Sequence, residues 1–157
     1  MSIAPVTTAV EVRQPPAKAF ELFTARIGEW WGNRTVGAKP AVAITLEPFA
    51  GGRWFETDED GTDTPWGKVL AWEPPSRLLL GWELDSQFRP NASFYTEVEI
   101  LFTPTAAGGT RVSLEHRDLE RFGADAERVA SQIGGGWPHH MQEFATFAST
   151  QPQGDAQ

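Results

Sequence analysis

The sequence predicts an α+β fold: a curved antiparallel sheet of about seven strands wrapped around a long C-terminal helix. Three observations predict it. Seven β-rich runs alternate apolar and polar residues, as strands with one buried face do. Connections bearing Gly or Pro join most of them, as in a meander of hairpins. One stretch near the end, Trp137 to Ala148, places apolar residues at helical spacing.

Taken in order, Val6 to Val12 is strand one, closed by Gln14-Pro15-Pro16. Ala17 to Thr24 reads as a short helix with Pro16 at its entry and Phe20, Phe23 and Ile27 on one side. Ile27 to Gly32 is a tight aromatic corner or second helical turn carrying Trp30 and Trp31, and Asn33 to Pro40 is loop. Val42 to Leu46 and Arg53 to Thr57 are strands joined through Gly51-Gly52. Asp58 to Asp63 is an acidic hairpin tip that reads as solvated loop, since no glutamate closes a calcium-loop pattern. Trp66 to Trp72, Arg77 to Leu84, Phe94 to Phe102 and Thr110 to His116 complete the strands.

Arg117 to Gly123 is a linker, and Ala124 to Ile133 is a short exposed helix or an ordered loop. Gly134-Gly135-Gly136 reads as a hinge. Trp137 then opens the main helix with Pro138 in its first turn, where a missing N–H costs nothing. At 1.5 Å per residue, about 14 residues give a rod of about 21 Å. Its Trp137, His140, Met141, Phe144, Ala145 and Ala148 share one face, and His139 points sideways to solvent. The expectation is one domain over residues 1–150 and a polar, disordered tail over 151–157.

Composition narrows the function classes. Thirteen basic against 21 acidic residues leave a net charge of −8. That balance argues against nucleic acid and against an anionic membrane surface. The absence of cysteine removes disulfides, thiol nucleophiles and thiolate metal sites. Met1 to Val12 shows no signal-peptide pattern, and no window approaches 18 apolar residues, so a cytoplasmic protein outside the membrane is expected. Seven Trp and ten Phe stand against one Tyr. Each large aromatic can bury about 150–250 Å². Such a set fills a thick core or lines a cavity.

The ordered motifs carry a resemblance. They are Phe20-Glu21-Leu22-Phe23 before Trp30-Trp31, Gly51-Gly52-Arg53-Trp54, Gly67-Lys68-Val69-Leu70 and Pro74-Pro75-Ser76-Arg77-Leu78. Trp82, Leu114-Glu115-His116-Arg117-Asp118-Leu119 and Gly136-Trp137 complete the set. From Val6 to Ala148 the chain resembles the START-like (SRPBCC) superfamily with its helix-grip fold, in the branch named after the activator of heat-shock protein 90 ATPase. The resemblance implies a ligand carrier, a cyclase or a stress-response protein, because members share the fold while differing in role. The additional domain that a full chaperone activator uses has no counterpart in this chain.

Several residues are candidates for chemistry. His116 falls on the strand face of Val112 and Leu114, so it points toward the helix, either as a hydrogen-bonded core residue or as a ligand anchor or proton donor. His140 shares the helix face of Trp137, and the two histidines could approach each other. No third ligand stands at motif spacing, so no metal is expected. Trp54 and Glu56 share one face of strand three, Arg53 and Phe55 the other, and only one pair enters the interior. Glu97, Glu99 and Ser113 fall on the wet face, which leaves a carboxylate pair or a serine triad without support.

The reading is a non-catalytic binder of a small, largely apolar ligand held between helix and sheet, with no cofactor. Trp54, Glu56, Trp82, Phe94, Val98, His116, Trp137, His140, Met141 and Phe144 are the expected lining. Two other readings compete with it. One is a protein-interaction role with Trp30, Trp31 and Trp66 as contacts if exposed. The other is a cyclase or hydrolase using His116, which requires a second titratable group in its reach. Homodimerisation is compatible with a domain of this size, and no interface is indicated.

Overall fold

The computed structural model describes residues 3–32 and 35–153. The elements run β1 (Val6–Val12), α1 (Pro16–Thr24), α2 (Ile27–Trp30), β2 (Ala41–Leu46), β3 (Arg53–Asp58), β4 (Asp63–Glu73), β5 (Arg77–Trp82), β6 (Thr96–Pro104) and β7 (Thr110–Arg117). A 3-10 segment, Leu119–Asp125, leads into the last helix, α3 (Ala126–Ser149). The strands form one antiparallel sheet in the order β1-β7-β6-β5-β4-β3-β2. This is the helix-grip α+β fold that the resemblance implies, built on the antiparallel sheet that the alternation predicts.

Alternation holds through most of the sheet. Leu78, Leu80 and Trp82 on β5, Val98, Ile100 and Phe102 on β6, and Val112, Leu114 and His116 on β7 are all buried. The opposite face carries ion pairs. Arg77 Nε donates to Glu99 at 2.6 Å, and Arg117 reaches both Glu97 and Glu99 at 3.0 Å. The Arg77 hydrogen bond, with Arg117 adding to it, holds the Glu99 carboxyl below its ordinary value.

Three register shifts bend the sheet, between Ala41/Ala43, Trp54/Phe55 and Val69/Ala71. Each sets an extra residue into one strand and increases its local twist. At the second, Trp54 pairs with Gly67 and Phe55 with Pro65, so Trp66 is the extra residue. Lys68 is exposed and Trp66 buried, although strict alternation would put them on the same face.

The glycine triplet differs from expectation. Gly134, Gly135 and Gly136 lie inside α3, which starts at Ala126 rather than Trp137 and runs 24 residues. Pro138 is therefore interior to the helix. Ala126, Val129 and Ile133 are buried, so the stretch read as exposed helix or loop is the first half of the rod. Strand boundaries also move. β6 starts at Thr96, leaving Phe94 ahead of it, and β5 ends at Trp82, with Leu84 in an isolated bridge to Pro90.

The core lies between α3, the short helices and the concave face of the sheet. Trp30, Trp31 and Trp66 are all buried in it. They offer no surface for a partner, which removes the observation that would have favoured a protein-interaction role. Exposed large apolar residues are Val42, Phe49, Leu70, Tyr95 and Leu101. Of the tail, Gln151 is tied down: its carbonyl accepts from Arg13 at 2.6 Å and from Gln14 at 3.3 Å, and its side chain accepts from Arg26 at 2.8 Å. Residues 154–157 of the expected tail lie outside the described residues. Among the described residues no helix is long and apolar enough to cross a membrane.

Two glycine substitutions should act with opposite sign. A Cβ at Gly67 would meet the Gly81 carbonyl oxygen at 1.8 Å, so Gly67→Ala must force β4 and β5 apart. Urea denaturation should show a loss of about 1–3 kcal/mol or more. A Cβ at Gly135 would meet nothing within 4 Å, so Gly135→Ala should gain about 0.5–1 kcal/mol from helix propensity.

Candidate functional site

α3 does not seat flush on the sheet. Beneath it lies a cavity of about 320 Å³. Its roof is the α3 face formed by Gln132, Ile133, Gly136, Trp137 and His140. Trp66, Trp82 and Leu84 form the sheet wall, and Trp31, Thr35, Val36 and Phe88 close the sides. Gln132 and Thr35 are exposed and mark the rim.

The walls are aromatic and mutually braced. Trp31 follows α2 in an extended conformation, φ −72° and ψ 115°, which turns its indole beneath α3. It meets Trp137 edge-on with centroids 5.4 Å apart, Trp66 at 5.4 Å and Trp54 at 6.0 Å. His140 stacks on it at 4.2 Å with 17° between planes. Trp82 meets Trp137 at 5.8 Å and Trp54 at 5.9 Å. Edge contacts of this kind add about 0.5–1.5 kcal/mol each beyond the area they bury.

Two polar devices hold these walls. Glu56 is buried, and its Oε1 accepts from the Val36 backbone N–H at 2.6 Å and from Trp66 Nε1 at 2.8 Å. Its Oε2 accepts from the Gly37 N–H at 3.2 Å. One carboxylate thereby ties the Val36 wall to the Trp66 wall. Trp54 and Glu56 are thus the pair that enters the interior. Arg53 stays outside, its guanidinium 4.2 Å from the centroid of Phe55 on the same face.

The second device is His116. Trp137 Nε1, a donor only, gives its hydrogen to His116 Nδ1 at 3.0 Å. The ring proton therefore sits on Nε2 and is donated to Thr96 Oγ1 at 2.7 Å. Both nitrogens are engaged, and no second titratable group is among these partners. Burial pushes the imidazole down to about 3, so it stays neutral. His116 fastens α3 to β6 and β7 and does not line the cavity, which removes the geometry that an enzyme built on His116 would need.

His140 is placed differently. It lines the cavity, and its Nδ1 lies 2.8 Å from Glu143 Oε1, one turn along α3. The same carboxylate oxygen accepts the Gly32 N–H at 3.3 Å. Among the described residues no group of three His, Asp or Glu side chains is arranged to hold a metal ion.

Of the residues expected to line the site, Trp82, Trp137 and His140 reach the cavity. Trp54, Val98, Met141 and Phe144 are buried in the core behind it. Phe94 packs on Phe122 at 5.1 Å, away from it. Glu56 supports the walls from behind. Sequence reasoning missed Trp31, Trp66, Leu84 and Phe88 among the walls, and Gln132, Ile133 and Gly136 on the helix. Helical periodicity continued back through the glycines would have found Ile133. Phe88 sits in a turn with φ 58°, and no pattern in the sequence announces it.

A curved sheet gripping one long helix over a walled cavity defines a helix-grip domain of the ligand-binding kind. Residues 13–149 match the family model described as Activator of Hsp90 ATPase homolog 1-like protein, and the chain belongs to that family. Comparison with curated proteins returned no match. Among solved structures, the anthrahydroquino-γ-pyrone synthase Txn09 is 36% identical, over 92% of this chain and 97% of its own, with a TM-score of 0.64. CalC from Micromonospora echinospora, described as a self-sacrificing resistance protein, is 27% identical over 94% of this chain and 95% of its own, with a TM-score of 0.68. Protein NE0264 from Nitrosomonas europaea shares the fold at 16% identity, over 95% of this chain and 96% of its own, with a TM-score of 0.67.

The His116 arrangement has a pH consequence. An unfolded-chain imidazole titrates near 6.5, so between about 6.5 and about 3 the unfolded state binds a proton that the native state does not. Stability should fall as pH drops through that window. Nitrogen-15 shifts of His116 should report a neutral Nε2–H ring midway through it, and a protonated ring there would contradict the geometry.

Proposed function

We propose that this protein binds a small, planar, largely apolar ligand in the cavity beneath α3. The observation that carries the reading is the wall itself: four indoles, from Trp31, Trp66, Trp82 and Trp137, around about 320 Å³. Ligand sites typically fall between about 300 and 1,000 Å³, with apolar walls and few polar groups. Flat ring faces set at steep angles suit a flat conjugated ligand better than a flexible acyl chain.

One further observation supports it. The 36% identical structure is named as a synthase of a fused, oxygenated aromatic. That name supports a ligand of the same kind here. Burial contributes about 25 cal/mol per Å² of apolar surface, so fit between the rings dominates affinity.

A panel of hydroxyanthraquinones, hydroxynaphthoquinones and fatty acids tests the reading. The planar compounds should quench tryptophan fluorescence and raise the melting temperature. Trp82→Leu should raise Kd about tenfold, equivalent to about 1.4 kcal/mol. Stabilisation by fatty acids alone, or by no member of the panel, would reject it.

A further inference from the structure

The mouth of the cavity differs in chemistry from its depth. Indoles, Val36, Leu84, Phe88 and Ile133 make up most of the inner wall. His140 also stands in the wall, stacked on Trp31 and with its Nδ1 against Glu143. At the rim are the exposed side chains of Gln132 and Thr35. No acidic side chain is among the described lining residues.

Gln132 is held by one end. Arg128, one turn earlier on α3, donates from Nη1 to Gln132 Oε1 at 3.4 Å. A guanidinium has no acceptor, so the amide turns its oxygen to Arg128, and the Nε2 hydrogens are left for water or a ligand at the mouth. Arg128 is itself held from two further sides. Its Nη2 donates to the Ser86 carbonyl at 3.2 Å, in the turn that carries Phe88, and Asp125 Oδ1 lies 3.5 Å from the same nitrogen. Thr35 adds a second donor at the rim. Its Oγ1 accepts the Ala41 N–H at 3.2 Å, and its own O–H can still be given. The rim therefore offers hydrogens more readily than lone pairs.

We infer that Gln132 selects planar ligands whose outer end carries a carbonyl oxygen, and that Arg128 sets this choice by fixing the amide. The inference rests on the ligand-binding reading above and adds to it the polar end of the ligand and its direction. The physical reason is desolvation. A carbonyl carried into the aromatic depth without a donor loses its water and gains nothing in return. At the rim it exchanges that water for the Gln132 amide. A conjugated ligand thus enters hydrocarbon first, with its ketone or quinone oxygen outermost. An end that can only donate meets donors there and is disfavoured. Gln132 is the specificity-determining residue. Arg128, which is not among the lining residues, is the positioning residue.

Two probes of one shape test it: 2-acetylanthracene and 2-isopropenylanthracene, which differ in a C=O against a C=CH₂. The readout is the ratio of the isopropenyl Kd to the acetyl Kd, measured on the full chain by tryptophan quenching. Gln132→Leu should lower that ratio about three- to tenfold, the usual strength of one neutral hydrogen bond, with isopropenyl binding little changed. Arg128→Glu presents an acceptor to the amide and turns its oxygen to the mouth. It should lower the ratio as far, although Gln132 is intact. Both positions are exposed, so neither variant should melt early. Because the probes share one shape, a general loosening of the roof moves both Kd values and leaves the ratio. The side-chain amide protons of Gln132 should shift downfield with the ketone and not with the alkene. Binding of both probes with a ratio unchanged in either variant, or a Gln132 amide unmoved by the ketone, overturns this inference alone. No binding of either probe or of the quinone panel overturns the ligand reading with it.

Discussion

The structure depends on the packing of one ring, Trp31. Its indole stands where α2, α3 and the concave face of the sheet converge, against Trp54, Trp66, Trp137 and His140. From Trp30 beside it, ring contacts continue through Phe23 and Phe102 to Phe20 and Trp72. Large flat side chains at steep angles gain edge-to-face energy, but they tile space poorly compared with branched aliphatics. At the Phe23 end, Phe144 fills the gaps, meeting Phe23 at 5.1 Å and Trp30 at 5.2 Å. At the Trp66–Trp82 end, Gly136 supplies no side chain. The cavity opens there.

Buried polar groups sort by how completely they are met. The indole of Trp137, the imidazole of His116 and the hydroxyl of Thr96 form a finished chain whose members need nothing more. Glu56 collects two backbone N–H groups and one indole N–H, enough to hold a carboxylate away from water. Trp31, Trp54 and Trp82 are the opposite case, with indole donors that find no acceptor among the described residues. Ring faces nearby can take some of that interaction, though weakly.

How much of this was legible varies with the physics of each element. Period-two alternation reports burial directly, so β5, β6 and β7 and the inward face of His116 were readable. Trp66 was not, because its inward turn comes from a bulge opposite Trp54, and a bulge leaves little trace in hydrophobic order. The glycine triplet misled for a related reason. Gly disfavours a helix interior by about 1 kcal/mol relative to Ala, and three together outweigh the local signal. Val129 and Ile133, packed in the core, more than offset that cost, and the helix runs straight through. Pairing between distant segments, such as Glu56 with Val36 or Gly32 with Glu143, has no local signature at all.

The two histidines show why a site has to be read from partners rather than from residue type. Both face inward from the elements that the pattern assigned them. His116 meets a hydroxyl and an indole, groups that do not ionise here, and desolvation alone decides its state. His140 meets a carboxylate that is itself in reach of water. Charge on the first ring would stand uncompensated in a low-dielectric core; the second has a carboxylate oxygen 2.8 Å from its Nδ1. One imidazole therefore acts as a fixed structural tie and the other as a polar element of a largely apolar wall. The difference rests on Gly32, whose missing side chain leaves space for the Glu143 carboxylate.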